Sequence, residues 1–190
     1  MYTFGTDEYE TSYASILVKR QESEKKPVMF LTPEWCAEYE ALIQNDDRYK
    51  QVARNWEGSV VLVFQADPVA GIDGDRFVYL DLWHGECRWL KPVPEEQGRA
   101  GEFVLEAEYR RWVQIVKGEL NVVKELATRQ LKLKPFDFKK AVKLAAASQA
   151  ALRLVELAGA VPTRFPDEES DTELTAYKTL FTELKTDFGI

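Results

Sequence analysis

The side chains best suited to acid–base chemistry in this chain are one histidine and three glutamates. His84 lies at the tip of a predicted hairpin. Glu106 and Glu108 share one face of a predicted strand with Glu102 and could form an acid–base pair, although the polar outer face of a sheet explains them better. The sequence contains no GxSxG, HExxH, GxGxxG or P-loop motif. We therefore predict no catalytic residue, no cofactor and no metal site, and we keep a small enzyme for thioester or amphipathic substrates as an alternative.

Cysteine use and net charge narrow the class of protein further. Cys36 and Cys87 are far apart and form no CxxC motif, and the first residues do not read as a secretory leader, which favours a reducing cytoplasm. The 190 residues include 25 basic and 32 acidic residues, and the net charge of −7 opposes a phosphate-binding surface and weakens attraction to anionic membranes. No apolar run approaches the ~18 residues of a membrane span. We therefore predict a cytoplasmic protein without a nucleic-acid partner and without a membrane span.

The strand that carries the glutamates leads directly into two short predicted helices. Its apolar residues alternate with charged ones, and the period then changes to that of a helix stripe that ends near Gly118. The apolar residues of this stretch are Phe103 and Leu105 on the strand, Trp112 and Val116 on the first helix, and Leu120, Val123 and Leu126 on the second. A short basic strand at residues 131–134 follows. The two helices are expected to cross one face of the sheet, and both carry large apolar side chains. We therefore predict a hollow between the helices and the sheet.

The remaining patterns complete an α+β fold. A continuous apolar run at residues 60–64 predicts a central strand, and residues 77–83 and 86–91 predict a hairpin. A helix begins at the Thr32-Pro33-Glu34 signal, and a long alanine-rich helix is expected from Phe138 to Gly159. We predict a five-stranded, mostly antiparallel sheet with helices packed on one face.

Both ends of the chain carry helical apolar stripes outside this core. Residues 9–17 predict a short helix before a charged linker at 19–26, and a capping box at Ser170 opens a last helix at residues 172–185. We divide the chain into an N-terminal extension (1–30), a central domain (31–165) and an acidic linker with a C-terminal helix (166–190). Because both stripes need a surface to bury against, we expect a lid or, with slight preference, a homodimer arm.

Three groups of residues between Leu31 and Phe165 stand in a distinctive order. They are Asp47-x-Tyr49 leading to Asn55-Trp56-Glu57-Gly58; Trp112 followed by Gly118-Glu119-Leu120-Asn121, a short helix and Leu131-Lys132-Leu133-Lys134; and Val161-Pro162-Thr163-x-Phe165. In order and spacing they resemble the sterol carrier protein 2 lipid-binding family, in its stand-alone prokaryotic form. The chain departs from the family at Thr128-Arg129-Gln130 and Pro135-Phe136-Asp137, where the family usually has small residues and a Gly-Asp pair.

The resemblance implies a hydrophobic tunnel between sheet and helices that holds a fatty acid, an acyl conjugate or a sterol-like lipid without a covalent step. From the residues alone, the aromatic stripe suits an ordinary core as well as a cavity wall. With the resemblance, the residues expected to bind the lipid are Phe77, Tyr79, Trp83, Phe103, Leu105, Trp112, Val116, Leu120, Val123 and Leu126. The predicted function is non-catalytic binding or carriage of a fatty-acid-like small molecule. A protein–protein interaction module with a filled core is the alternative.

Overall fold

The apolar run at residues 60–64 becomes the central strand of a five-stranded sheet. The computed structural model describes residues 1–23 and 26–190. The strands are β1 (Val28–Met29), β2 (Glu57–Gln65), β3 (Arg76–Trp83), β4 (Glu86–Pro92), β5 (Phe103–Glu108), β6 (Lys132–Lys134) and β7 (Thr163–Arg164). The main sheet has the order β4-β3-β2-β5-β6; the β2–β5 pair is parallel and the other pairs are antiparallel. The predicted five-stranded, mostly antiparallel sheet is confirmed.

Most of the helices pack on one face of this sheet, so the predicted α+β fold is also confirmed. The helices are α1 (Asp7–Ser23), α2 (Pro33–Gln44), α3 (Asp47–Val52), α4 (Glu95–Arg99), α5 (Tyr109–Val116), α6 (Val122–Ala127), α7 (Phe138–Ala146), α8 (Ser148–Ala160) and α9 (Asp171–Phe188). The short helix α4 packs on the other face. A side chain at Gly98 would collide with the ring of Phe77, so the glycine allows α4 to approach the sheet closely.

Alternation along the strands divides the apolar residues between the two faces. Leu62 of β2 lies beside Leu105 of β5, and on β3 the residues that face the helices include Leu80. These side chains belong to the main hydrophobic cluster or pack against it. The second face carries a smaller cluster, made of Val61, Val63, Phe77, Val93 and Val104. The face that meets the helices is thus mainly aliphatic at its centre.

The long helix predicted to end at Gly159 is divided at Ala147, so that prediction is wrong. The amide of Ala147 is shared between the carbonyl oxygens of Lys143 and Leu144, each at 3.1 Å, and this tighter turn ends α7. The second half, α8, packs closely against the end of α5. A side chain at Gly159 would lie 2.7 Å from the carbonyl oxygen of Val116, so this glycine allows α8 to approach α5 closely.

Helix α1 extends further than predicted. It reaches Ser23, so the start of the charged run at Lys19 is helical and the prediction of a linker there is wrong. Lys, Arg, Gln and Glu are good helix formers, and Arg20 forms an ion pair with the buried carboxylate of Glu34 on α2. Residues 24–25, which belong to the same run, lie outside the described residues.

The apolar faces of α1 and α9 contact each other within one chain. The ring of Phe188 on α9 lies 5.2 Å from that of Tyr9 and 5.8 Å from that of Tyr13 on α1. The hydroxyl of Tyr177 on α9 donates a hydrogen bond to the carbonyl oxygen of Phe30 at 3.1 Å. The expectation that these faces are unpaired and available to a second subunit is therefore wrong, and we no longer infer a homodimer. The division at residues 30 and 165 stays a prediction.

Candidate functional site

An apolar cavity of about 80 Å³ lies between the helix-facing side of the sheet and the helices above it. The sheet side is lined by Val60, Leu62, Phe64, Leu80, Leu82 and Leu105. The helix side is dominated by small and branched residues of α8, which are Ala150, Ala151, Leu154, Val155 and Ala158. The volume exceeds what one water molecule needs, and a cavity with apolar walls favours an apolar occupant.

Four aromatic residues of the cavity wall bond their polar atoms to other groups of the protein. The hydrogen bonds run from Trp35 Nε1 to Thr163 Oγ1 (2.9 Å), from the Tyr39 hydroxyl to the Leu154 carbonyl (3.0 Å), from Trp56 Nε1 to the Gly58 carbonyl (2.8 Å) and from Trp112 Nε1 to the Val63 carbonyl (2.8 Å). Burial raises the pKa of the Tyr39 hydroxyl well above its usual value, so it stays neutral. The wall therefore offers a ligand a large apolar surface and few polar contacts.

An ion pair fixes α8 over the cavity. The Arg153 guanidinium donates to both carboxylate oxygens of Asp46, with Nε at 2.9 Å and Nη2 at 2.5 Å. The same carboxylate caps α3 by accepting the Tyr49 amide at 2.6 Å. The hydrogen bond from Arg153 holds the pKa of Asp46 below its usual value. One carboxylate thus positions both α8 and the cavity-lining ring of Tyr49.

A wider groove of about 550 Å³ lies beside the cavity, between β6 and helices α6, α7 and α8. Cavity and groove share three wall residues, which are Leu126, Leu144 and Ala151. At the outer rim, the side chains of Phe136 and Phe138 are 58% and 73% exposed. The groove therefore adjoins the cavity along these shared wall residues.

The structure brings four of the ten predicted lipid-binding residues together on the cavity wall. They are Leu105, Trp112, Val116 and Leu126. Val123 lines the groove instead, and Leu120 packs against the main cluster. Phe103 is on the correct face of the sheet, but its ring packs against Trp56 with the centroids 4.8 Å apart.

Three of the ten residues lie on the opposite face of the sheet, so the expectation that they line the cavity is wrong. Phe77 belongs to the second cluster, Tyr79 stacks on Trp89 with ring centroids 4.6 Å apart, and Trp83 is 41% exposed near the hairpin. The residues of β3 that alternate with them line the cavity, namely Leu80 and Leu82. Both faces of β3 are apolar in sequence, so the alternation alone does not show which face meets the helices.

Sequence reasoning also missed the contribution of α8. The alanine-rich pattern predicted a helix, and in the structure Ala150 and Ala151 leave open space beneath it. The signal was present, because small side chains that face a sheet of leucines cannot fill the distance between the two layers.

The acid–base candidates do not line the cavity. The ring of His84 contacts a carboxylate oxygen of Glu57 and the carbonyl oxygen of Arg54, each at 2.9 Å. Glu106 is buried on the second face and accepts a hydrogen bond from Arg99 at 2.8 Å. Glu108 is exposed at the start of α5. These positions give no support to the alternative of a small enzyme that acts inside the cavity.

The two cysteines are free and buried. Burial raises the pKa of the Cys87 thiol to about 12 and that of the Cys36 thiol well above its usual value. Within the described residues, no three His, Cys, Asp or Glu side chains are grouped so that they could hold a metal ion. No helix of residues 1–23 and 26–190 combines the length and the apolar character needed to cross a bilayer.

Two solved structures resemble this chain over most of its length. A sterol carrier protein 2 of known crystal structure is 34% identical with a TM-score of 0.61, and the match covers 70% of this chain and 98% of that one. A conserved hypothetical protein from Thermus thermophilus, described as a candidate sterol carrier protein, is 33% identical with a TM-score of 0.63, over 74% of this chain and 94% of that one. No family model and no curated protein matches the chain.

Proposed function

We propose that this chain, which belongs to the sterol carrier protein 2 family, binds or carries one elongated apolar ligand without a covalent step. The ligand is a fatty acid, an acyl conjugate or a sterol-like lipid. The observation that carries the proposal is the cavity wall, where the indole and hydroxyl groups of Trp35, Tyr39, Trp56 and Trp112 are bonded to other parts of the protein. Such a wall favours the burial of apolar ligand surface and offers few hydrogen bonds to a polar ligand.

The cavity and the groove together form the proposed binding tunnel. The apolar tail occupies the cavity, and the polar end stays in the groove, because burying a polar group beside an apolar wall without a hydrogen bond is costly. The wall residues shared by both spaces, Leu126, Leu144 and Ala151, mark where the ligand crosses from one to the other.

The energetics of this arrangement are sufficient without strong polar contacts. Burying one CH₂ contributes about 0.8 kcal/mol, so a chain of ~14 methylenes contributes roughly 11 kcal/mol before the costs of association and ordering. Micromolar affinity, which corresponds to about 8 kcal/mol, is within reach. A protein–protein interaction module with a filled core would not need the cavity. We also propose a cytoplasmic location, because the two free thiols suit a reducing compartment.

The first prediction is that delipidated protein binds cis-parinaric acid and that Ala151→Phe weakens this binding. The new ring occupies the junction of cavity and groove; excluding even two methylenes would lower the affinity about tenfold. Fluorescence titration measures this, and native mass spectrometry of the purified protein tests for a co-purified lipid.

Ala146→Phe is the matched control, because Ala146 is exposed on α7 and lines neither space. It is expected to bind the probe like the wild-type protein. If the folded wild-type protein neither binds the probe nor retains a lipid, the proposed function is wrong. If both variants lose affinity equally, the cavity is not the binding site.

A further inference from the structure

Large exposed apolar side chains are concentrated at the outer rim of the groove. Phe136, Phe138 and Val142 are 58%, 73% and 54% exposed, and they lie within seven consecutive residues. Phe138 and Val142 are four residues apart on α7, so they share one side of the helix. A single exposed apolar residue needs no explanation, but a group of this kind marks a surface that meets another apolar phase.

The same rim carries cations that have no ion-pair partner within the described residues. Arg129, Lys132, Lys134 and Lys139 are exposed, and none of them belongs to an ion pair found in the described part of the chain. The guanidinium of Arg129 lies 4.9 Å from the centre of the Phe136 ring, which places positive charge directly beside an exposed aromatic group.

The charge at this rim is opposite to that of the chain as a whole. Residues 128–147 contain six basic residues and one acidic residue, a net charge of +5, whereas the whole chain has a net charge of −7. The expectation that this protein is poorly suited to an anionic membrane followed from the total. At the rim the local positive charge favours an anionic membrane instead. Screening at physiological salt limits the influence of each charge to about 8 Å, so the acidic residues elsewhere do not cancel it.

We propose that this rim, made of Phe136, Phe138 and Val142 with the cations Arg129, Lys132 and Lys134, docks on an anionic phospholipid bilayer. The proposal rests on the proposed function, because it explains how an apolar ligand reaches the groove. The cations contact the lipid phosphates, and the aromatic side chains enter the boundary between headgroups and acyl chains. A bilayer is favoured over a second copy of the chain or a nucleic acid, since it alone offers both an anionic surface and an apolar phase that joins the apolar wall of the groove.

The test is co-sedimentation of delipidated protein with vesicles of phosphatidylcholine alone or of phosphatidylcholine with phosphatidylglycerol. We expect binding to the mixed vesicles that weakens as salt rises, and little binding to pure phosphatidylcholine. A variant with both Lys132→Gln and Lys134→Gln should bind the mixed vesicles with an affinity lower by about tenfold or more. Each basic residue near an anionic surface raises the affinity about fivefold. Phe136→Ser with Phe138→Ser should also weaken binding.

Matched controls remove the same groups elsewhere. Lys19→Gln with Lys185→Gln removes two exposed lysines, and Val18→Ser with Val69→Ser removes two apolar side chains that are 53% and 77% exposed. Both controls should bind vesicles like the wild-type protein. Circular dichroism verifies the fold of each variant, and if the phenylalanine variant is unfolded the lysine pair decides alone.

Binding that is absent, equal for both vesicle types, or weakened as much by the controls would overturn the docking proposal. Loss of self-association in the rim variants, seen by light scattering, would assign the rim to a second copy and would overturn it as well. The wild-type protein is titrated with cis-parinaric acid in vesicle-free buffer. Vesicle binding without probe binding defeats only the proposed function, and probe binding without vesicle binding defeats only the docking surface.

Discussion

Two tyrosines of the cavity wall differ by a single hydrogen bond, which allows a clean test of the wall. Tyr39 donates its hydroxyl to the Leu154 carbonyl, whereas the hydroxyl of Tyr49 has no hydrogen bond within the described residues. Tyr39→Phe should therefore lower the free energy of unfolding by about 1 kcal/mol, while Tyr49→Phe should be near neutral or slightly stabilising. Urea denaturation measures both.

The two variants are each other's control, since both rings are almost fully buried and both changes remove one oxygen. Equal losses in the two variants would contradict this prediction. At this scale the structure places four of the predicted residues, Leu105, Trp112, Val116 and Leu126, on one cavity wall, and their contact with a lipid stays a prediction. The sequence could not assign the face of β3, because alternation defines two faces and both are apolar there.

Helix α7 is held more weakly than α8, so we expect it to open before α8. Leu144 is its only buried residue, whereas α8 buries Ala150, Leu157 and Ala158 and is anchored by Arg153. Local stability follows buried apolar contact, so the amides of α7 should exchange with deuterium faster than those of α8. Hydrogen exchange followed by mass spectrometry resolves peptides from the two helices.

Ligand provides the control for this prediction. A lipid that crosses from groove to cavity contacts the wall at Leu144, so saturating cis-parinaric acid should slow exchange in α7 more than in the distant strand β4. Equal exchange in α7 and α8 without ligand would contradict the prediction.

Most elements were predictable from the sequence, and the exceptions have physical causes. Strong caps at Thr32 and Ser170 and regular periods marked α2, α9 and the strands. The break at Ala147 left no signal, because the whole stretch has high helix propensity and contains no proline or glycine until Gly159. The strands β1 and β7 have only two residues each, which is too short to show an alternating apolar pattern. They form because they pair with each other, although they lie near opposite ends of the chain.

At the scale of the whole molecule, the terminal helices are part of one core, so removing α9 should destabilise the entire protein. Tyr177, Phe181, Leu184 and Phe188 are all buried, and they contact α1 and the segment around Phe30. Each such residue contributes about 1.5–3 kcal/mol by burial, and four together compare with the 5–15 kcal/mol that stabilises a typical domain. A chain truncated after Phe165 is expected to lose cooperative thermal unfolding.

A single substitution tests the contact between α9 and α1 without removing the helix. Phe188→Ala should lower the free energy of unfolding by about 3–5 kcal/mol, because the ring packs against both Tyr9 and Tyr13 and leaves a cavity when removed. Thr186→Ala, at an exposed position two residues earlier, should change it by less than about 0.5 kcal/mol. If the truncated chain instead stays folded and light scattering shows half the mass of the full-length protein, α9 is a dimer arm after all and its contact with α1 is not the one that stabilises the protein in solution.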